Sequence, residues 1–221
     1  MPKKKLIHFR ENLSFPHLFQ PTYSDLIPEF AFRSKWNDQF FGNDHPIVIE
    51  LGCGKGEYTL GLASGYPEKN FIGIDWKGAR LWRGCKTVSE KKMKNVGFIR
   101  TQVGLVEQVF ATGEISEIWI TFPDPQVKKE RIRLTAPIFL AKYRNILSND
   151  GIIHLKTDDP FFYNYTLDVI REHNHSLLWA TDDLYHSGIT GDLVGIQTYY
   201  ENMWLTEGKK ICYLRYQLNK T

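Results

Sequence analysis

Apolar positions along this chain recur with two periods, and each change of period marks a new element. "PIVIEL" over 46–51 is a nearly unbroken apolar run ending near a carboxylate, which predicts a short strand buried on both faces. Glycines follow, then a helix over 56–64, and "NFIGID" over 70–75 is the second strand. In the next segment Leu81, Cys85 and Val88 fall at i, i+4 and i+7, with Lys77, Arg80, Arg83 and Lys86 at other positions. That spacing predicts an amphipathic helix with its cations outside. "NVGFIR" (95–100) and "EIWITF" (117–122) predict the third and fourth strands. Phe139, Tyr143 and Ile146 mark a helix that "SNDG" closes with a left-handed cap, and "GIIHLKT" (151–157) is the fifth strand, with a helix behind it to about residue 172.

"HSLLWA" (175–180) and "ICYLRYQL" (211–218) are strand-like, with no periodic helix between them. A β-α-β-α series that ends this way predicts an α/β fold with a seven-stranded, mostly parallel sheet. One strand runs antiparallel, and helices cover both faces. Residues 1–45 are irregular and proline-punctuated; they predict an N-terminal arm, mostly extended, with a short helix around 24–41, ahead of one domain over 46–221.

Composition narrows the partners only slightly. With 221 residues and a net charge of +3, the chain permits a nucleic-acid ligand without requiring one. Cys53, Cys85 and Cys212 are far apart and form no CxxC, so reduced cysteines are expected rather than zinc or disulfides. His173 and His175 lack a third ligand nearby, so no metal is expected, and His154 falls inside a buried strand as a core histidine. No apolar run reaches membrane-spanning length, and "MPKKKLIHF" has no apolar core behind its cations; a cytoplasmic protein is the expectation.

The first chemical signal is "IELGCGKGEYT", between the first strand and its helix. Gly52, Gly54 and Gly56 match neither the dinucleotide pattern GxGxxG nor a phosphate loop, because no Ser or Thr follows Lys55. Glu50 at the strand end would repel a pyrophosphate but suits a ligand with positive charge. S-adenosylmethionine carries a sulfonium, an ammonium and no phosphate. Asp75, ending the second strand, is placed to accept both ribose hydroxyls. Trp76 beside it lines either the core or an adenine. The second signal is "FPDPQVKKERIRLT" (122–135). It sets Asp124 between two prolines and follows it with Lys128, Lys129, Arg131 and Arg133. Pro123 and Pro125 are expected to hold Phe122 and Asp124 extended, so that the carboxylate is preorganised for a polar group and the cations for phosphates.

With "FIGIDWKGARL", "HLKTD" and "TYYE", these segments resemble the bacterial tRNA (guanine-N7-)-methyltransferases over about residues 45–218. The resemblance implies a class I (Rossmann-like) methyltransferase fold, S-adenosylmethionine as cofactor, and tRNA as partner, with the methyl placed on the variable-loop guanine numbered 46. It implies cofactor contacts at Glu50, Asp75, Gln102 and Asp124, beside the glycines, and tRNA contacts at Lys128, Asp158, Thr198, Tyr199, Tyr200 and Glu201. The chain departs from the family's pattern at Gln102, at Gln126 and in a shorter basic run. Guanine N7 is a free lone pair that needs no general base, so Asp124 is expected to hold the guanine or orient the cofactor. No Asn/Asp-Pro-Pro-aromatic element for an exocyclic amine and no cysteine nucleophile for a pyrimidine carbon occur at this strand end. The rival readings are a nicotinamide-dependent dehydrogenase and a non-catalytic RNA-binding protein; as to assembly, a monomer or a homodimer is expected.

Overall fold

The computed structural model describes residues 3–219. Helix α1 (Lys3–Glu11) and the two-residue strand β1 (Leu18–Phe19) precede β2 (Ile47–Leu51), α2 (Glu57–Gly65), β3 (Asn70–Ile74), α3 (Gly78–Lys91) and β4 (Val96–Ile99). Then come α4 (Val106–Val109), β5 (Ile115–Thr121), α5 (Pro137–Ile146), β6 (Leu147–Thr157) and α6 (Pro160–Glu172). The chain finishes with β7 (Ser176–Thr181), α7 (Asp192–Gly195), α8 (Tyr199–Thr206) and β8 (Cys212–Gln217).

The sheet order is β1-β4-β3-β2-β5-β6-β8-β7, with β8 alone running antiparallel to its neighbours. The seven expected strands are all present, and β1 adds an eighth at the edge beside β4. Alternation along β2 separates two apolar layers: Ile47, Ile49 and Leu51 face α5 and α6, while Val48 faces α2 and α3. A strand buried on both sides has no polar face to show, which is why "IVIEL" is apolar up to Glu50. After β4 the chain crosses back to place β5 beside β2, so the strand order reverses between β2 and β5. Ligands in open α/β sheets bind at the carboxyl ends of strands at such a reversal.

Three expectations about local structure are corrected. The segment before β2 is not an extended arm: α1 lies on α3, and Leu26, Phe30 and Trp36 are buried in the core. The single helix around 24–41 is instead a 3-10 turn at Ser24–Leu26 and a π-helical turn at Trp36–Phe41. "SNDG" forms no left-handed cap; α5 stops at Ile146, Leu147 is already extended (φ −74°, ψ 140°), and β6 begins at once.

Candidate functional site

Beneath the glycine loop, Glu50 is buried at the end of β2. Its Oε2 accepts the Thr59 N–H at 2.8 Å and the Thr59 hydroxyl, and its Oε1 accepts the Thr121 hydroxyl at 2.5 Å. One carboxylate thus ties the start of α2 to the end of β5. Burial raises its pKa to about 7 despite these hydrogen bonds, and Asp75 nearby adds to the rise.

The loop above it is not built for phosphate. Gly52 and Cys53 donate their N–H groups to Ile74 O (2.8 and 3.0 Å), Gly54 donates to Asp75 Oδ2 (2.9 Å), and Gly56 donates to Cys53 O (2.7 Å). Amides that point into the protein cannot cradle an anion, in contrast to a phosphate loop. Gly52 and Gly54 have φ of +76° and +57°, and a Cβ on either would meet nothing within 4 Å; the space over the loop is open to a ligand. Gly56 is different: a Cβ there would lie 2.6 Å from Phe98, so its glycine is required by packing. Asp75 accepts the Lys77 N–H (2.6 Å) through Oδ1 as well as Gly54 through Oδ2. A carboxylate has about four acceptor sites, so two remain for a pair of hydroxyls. This donor set fits a cationic nucleoside such as S-adenosylmethionine.

Two cavities meet above the strand ends. The first, about 100 Å³, is lined by Glu50, Gly52, Gly54, Thr121, Thr198 and their neighbours. The second, about 380 Å³, is lined by Asp124, Asp158, Asp159 and both prolines of the FPDP segment. Phe122, Tyr200 and Arg80 line both. Asp124 is exposed and accepts the Gln126 N–H through Oδ1 at 3.0 Å, closing an Asx turn.

The rigidity of this loop does not come from where the prolines suggest. Phe122 is not extended: its φ is +47°, while its N–H still pairs with Lys156 O at 2.8 Å. A positive φ at a bulky residue stores strain of order 1–3 kcal/mol. Arg133 is not a phosphate contact either. It is buried, its guanidinium donates to Pro125 O (3.3 Å), Gln126 O (3.4 Å) and Val127 O (3.0 Å), and it lies 4.8 and 4.3 Å from the Phe161 and Tyr165 rings. Arg133 holds the loop from below. Lys128, Lys129 and Arg131 are the exposed cations of the run.

The "TYYE" segment also divides. Thr198 caps α8 and accepts the Glu201 N–H at 3.2 Å, and Glu201 completes the capping box. The Glu201 side chain is fully buried, 2.6 Å from the equally buried Lys156 ammonium, and accepts the Tyr185 hydroxyl at 2.8 Å. A carboxylate so committed does not reach tRNA, and the expected contact at Glu201 is corrected. Tyr199 and Tyr200 are exposed; the Lys55 ammonium lies 5.0 Å from the Tyr199 ring and Glu57 accepts the Tyr199 N–H at 3.0 Å. Asp158 lines the second cavity with Lys209 Nζ 3.7 Å away, and burial raises its pKa. Gln102 lies exposed beyond the end of β4 and lines neither cavity.

Arg80, Lys156, Thr59 and Thr121 escape a sequence reading. A helix-surface arginine, a lysine in a strand and two threonines carry no motif until the fold brings them together. All three cysteines are buried, and burial pushes the Cys53 thiol well above its usual range. Among the described residues no group of three His, Cys, Asp or Glu is disposed to hold a metal, and no helix is long and apolar enough to cross a membrane.

A mostly parallel sheet with β8 reversed, open glycines over Glu50 and Asp75 beyond β3 define a class I S-adenosylmethionine-dependent methyltransferase. Solved structures agree on the fold: the 16S rRNA methyltransferase KamB aligns with TM-score 0.64 at 10% identity, covering 83% of this chain and 92% of that one. An S-adenosylmethionine-dependent methyltransferase from Aquifex aeolicus aligns at 0.55 and 11% identity, covering 81% and 86%. The family described as "Putative methyltransferase" matches residues 44–214. The chain is 53% identical to a tRNA (guanine-N(7)-)-methyltransferase of Christiangramia forsetii over 98% of both chains. It is 49% identical to that of Bacteroides thetaiotaomicron, over 99% of this chain and 87% of the other. The chain belongs to the tRNA (guanine-N7-)-methyltransferase family.

Proposed function

We propose that this protein transfers the methyl group of S-adenosylmethionine to N7 of a guanine in tRNA, at the variable-loop position numbered 46, and that it acts in the cytoplasm. The observation that supports this best is the pair of cavities joined at Phe122, Tyr200 and Arg80, one over the glycine loop and one holding Asp124. Glu50 and Asp75 would hold the cofactor, with the glycine loop beneath it. When bound, that cofactor supplies an electrophilic methyl, and N7 needs no base to attack it.

The protein's work is alignment. Asp124 has one oxygen engaged in its own turn, and its other oxygen is available to a guanine N1–H or N2–H. Arg133 keeps the turn in place. Lys128 would meet a phosphate, and Tyr199 and Tyr200 would border the entering nucleotide. The amides turned away from the loop's open side disfavour a dinucleotide, and with it a dehydrogenase. An RNA-binding protein without catalysis would have no use for Glu50 and Asp75 under an open glycine loop. Incubation with labelled S-adenosylmethionine and unmodified tRNA, followed by nucleoside analysis, should yield labelled 7-methylguanosine. Label in another nucleoside, or none, would overturn the assignment.

A further inference from the structure

A third cavity, about 420 Å³, adjoins the one that holds Asp124 and shares Lys77 and Arg80 with it. It lies between α1 and the start of α3, and Lys5, Phe9, Trp76 and Arg100 complete its chemical lining. Beyond those two shared cations, the cavities differ in charge. Asp124, Asp158 and Asp159 line the second, whereas the third has four cations and no carboxylate in its lining. Trp76 is 59% exposed, which is unusual for the side chain with the most apolar surface to hide. The Arg100 guanidinium sits between rings, 5.2 Å from Phe9 and 6.0 Å from Trp76, and its Nε donates to Trp76 O at 3.4 Å. Arg80 makes no ion pair among the described residues, although it borders all three cavities.

We propose that this aromatic, cationic cavity binds a nucleotide adjacent to the target guanosine in the same tRNA, its base stacked on Trp76 and its phosphates on Lys77, Arg80, Arg100 and Lys5. The inference rests on the functional reading above. A guanine offers donors at N1 and N2 and belongs on the acidic side. The phosphodiester that follows or precedes it carries negative charge and belongs on the Lys77–Arg80 strip, where acidic side chains give way to basic ones. Unpaired nucleotides are held by this combination of a π-face and backbone cations. The N-terminal helix then serves in substrate binding, because α1 supplies Lys5 and Phe9 and closes one wall.

Full-length Trp76→Ala and Lys5→Glu test this by steady-state methylation of tRNA across salt concentrations, beside calorimetry with S-adenosylmethionine alone. Trp76→Ala should raise KM for tRNA at least about five-fold through lost stacking, with kcat and cofactor affinity near wild type. Lys5→Glu, on the exposed side of α1, should weaken tRNA binding and flatten its salt dependence even where Trp76→Ala proves poorly folded. Loss of cofactor affinity in Trp76→Ala with unchanged KM for tRNA would make Trp76 a wall of the adenine site and overturn the proposal. Unchanged tRNA kinetics in both variants would overturn it too. Nucleoside analysis of the wild-type product keeps the two readings separable: a methyl found away from guanine N7 defeats the functional assignment, whereas the KM shift bears on the cavity alone.

Discussion

At the scale of single residues, Asp124 and Lys128 sit four positions apart and are expected to do different work. Asp124 uses Oδ1 to hold the Gln126 N–H. Asparagine keeps that acceptor, so Asp124→Asn preserves the turn and changes only the outward oxygen. Its kcat should fall by about 10²-fold while tRNA affinity holds. Lys128→Ala should do the reverse, reducing tRNA affinity and lowering the salt slope by about one unit; binding titrations at several salt concentrations separate the pair. Glu50 gives a prediction in pH. Its pKa of about 7 in the free protein, raised by burial, means that a neighbouring cation must draw off a proton below that pH. Cofactor affinity should be flat above about pH 7 and fall below it, by at most about tenfold per unit, with proton release on binding. Calorimetry in buffers of different ionisation enthalpy measures both, and Glu50→Gln should remove the dependence. The same shift has a sign in stability: the folded state keeps the Glu50 proton longer than the unfolded one. Its stabilising contribution is full below the ordinary value of 4.5 and is lost as pH rises toward 7. Glu50, Asp75 and Asp124 were legible in the sequence because strand ends and prolines flag them. Arg133 was not, since a buried arginine and a solvated one look alike within a basic run.

Among the elements, the loop between β5 and α5 and the helix α8 owe their placement to buried charge. Arg133→Ala removes hydrogen bonds to three carbonyls and two aromatic contacts, and should cost about 2 kcal/mol. Because it meets no phosphate, kcat should drop with the tRNA salt slope unchanged; a flattened slope would return Arg133 to the RNA. The Lys156–Glu201 pair joins β6 to α8 and so fixes Tyr200 at the cavity rim. Removing one partner leaves a buried charge, at about 3–5 kcal/mol. Lys156→Met with Glu201→Leu should be less damaging than either alone, and denaturant titration of the four-member cycle measures the coupling. The strands were legible here, and the connections were less so. "SNDG" has the composition of a cap, yet the β5–β6 pairing at Ile115 and Leu147 draws that segment into the sheet.

For the molecule as a whole, the region before β2 completes the core rather than trailing from it. Trp36 is fully buried, donates to Val109 O at 3.1 Å, and lies 4.9 Å from Phe19 and 5.8 Å from Phe110. Trp36→Ala should destabilise the protein by about 3–5 kcal/mol, read as a lower denaturation midpoint at unchanged m-value. A midpoint equal to wild type would mean that residues before β2 fold apart from the domain. The aromatic residues of 15–41 carry no period, so nothing in the sequence distinguishes a buried cluster from a scattered set. Only contact with β4 and α4 makes them a core.

Periodicity and punctuation by themselves determined the seven long strands, their mostly parallel arrangement, the glycine loop and the acids at the strand ends, because each is a local pattern with one stable folded outcome. Tertiary structure alone decided which charges are buried. Glu201, Lys156 and Arg133 are polar letters in surface-like contexts, and their burial follows from partners 45, 37 or fewer residues away that the fold brings within hydrogen-bond reach. It also decided that Arg80 borders three cavities, since a cavity belongs to no single segment. Local chemistry follows from sequence spacing, whereas desolvation depends on what the rest of the chain places on top.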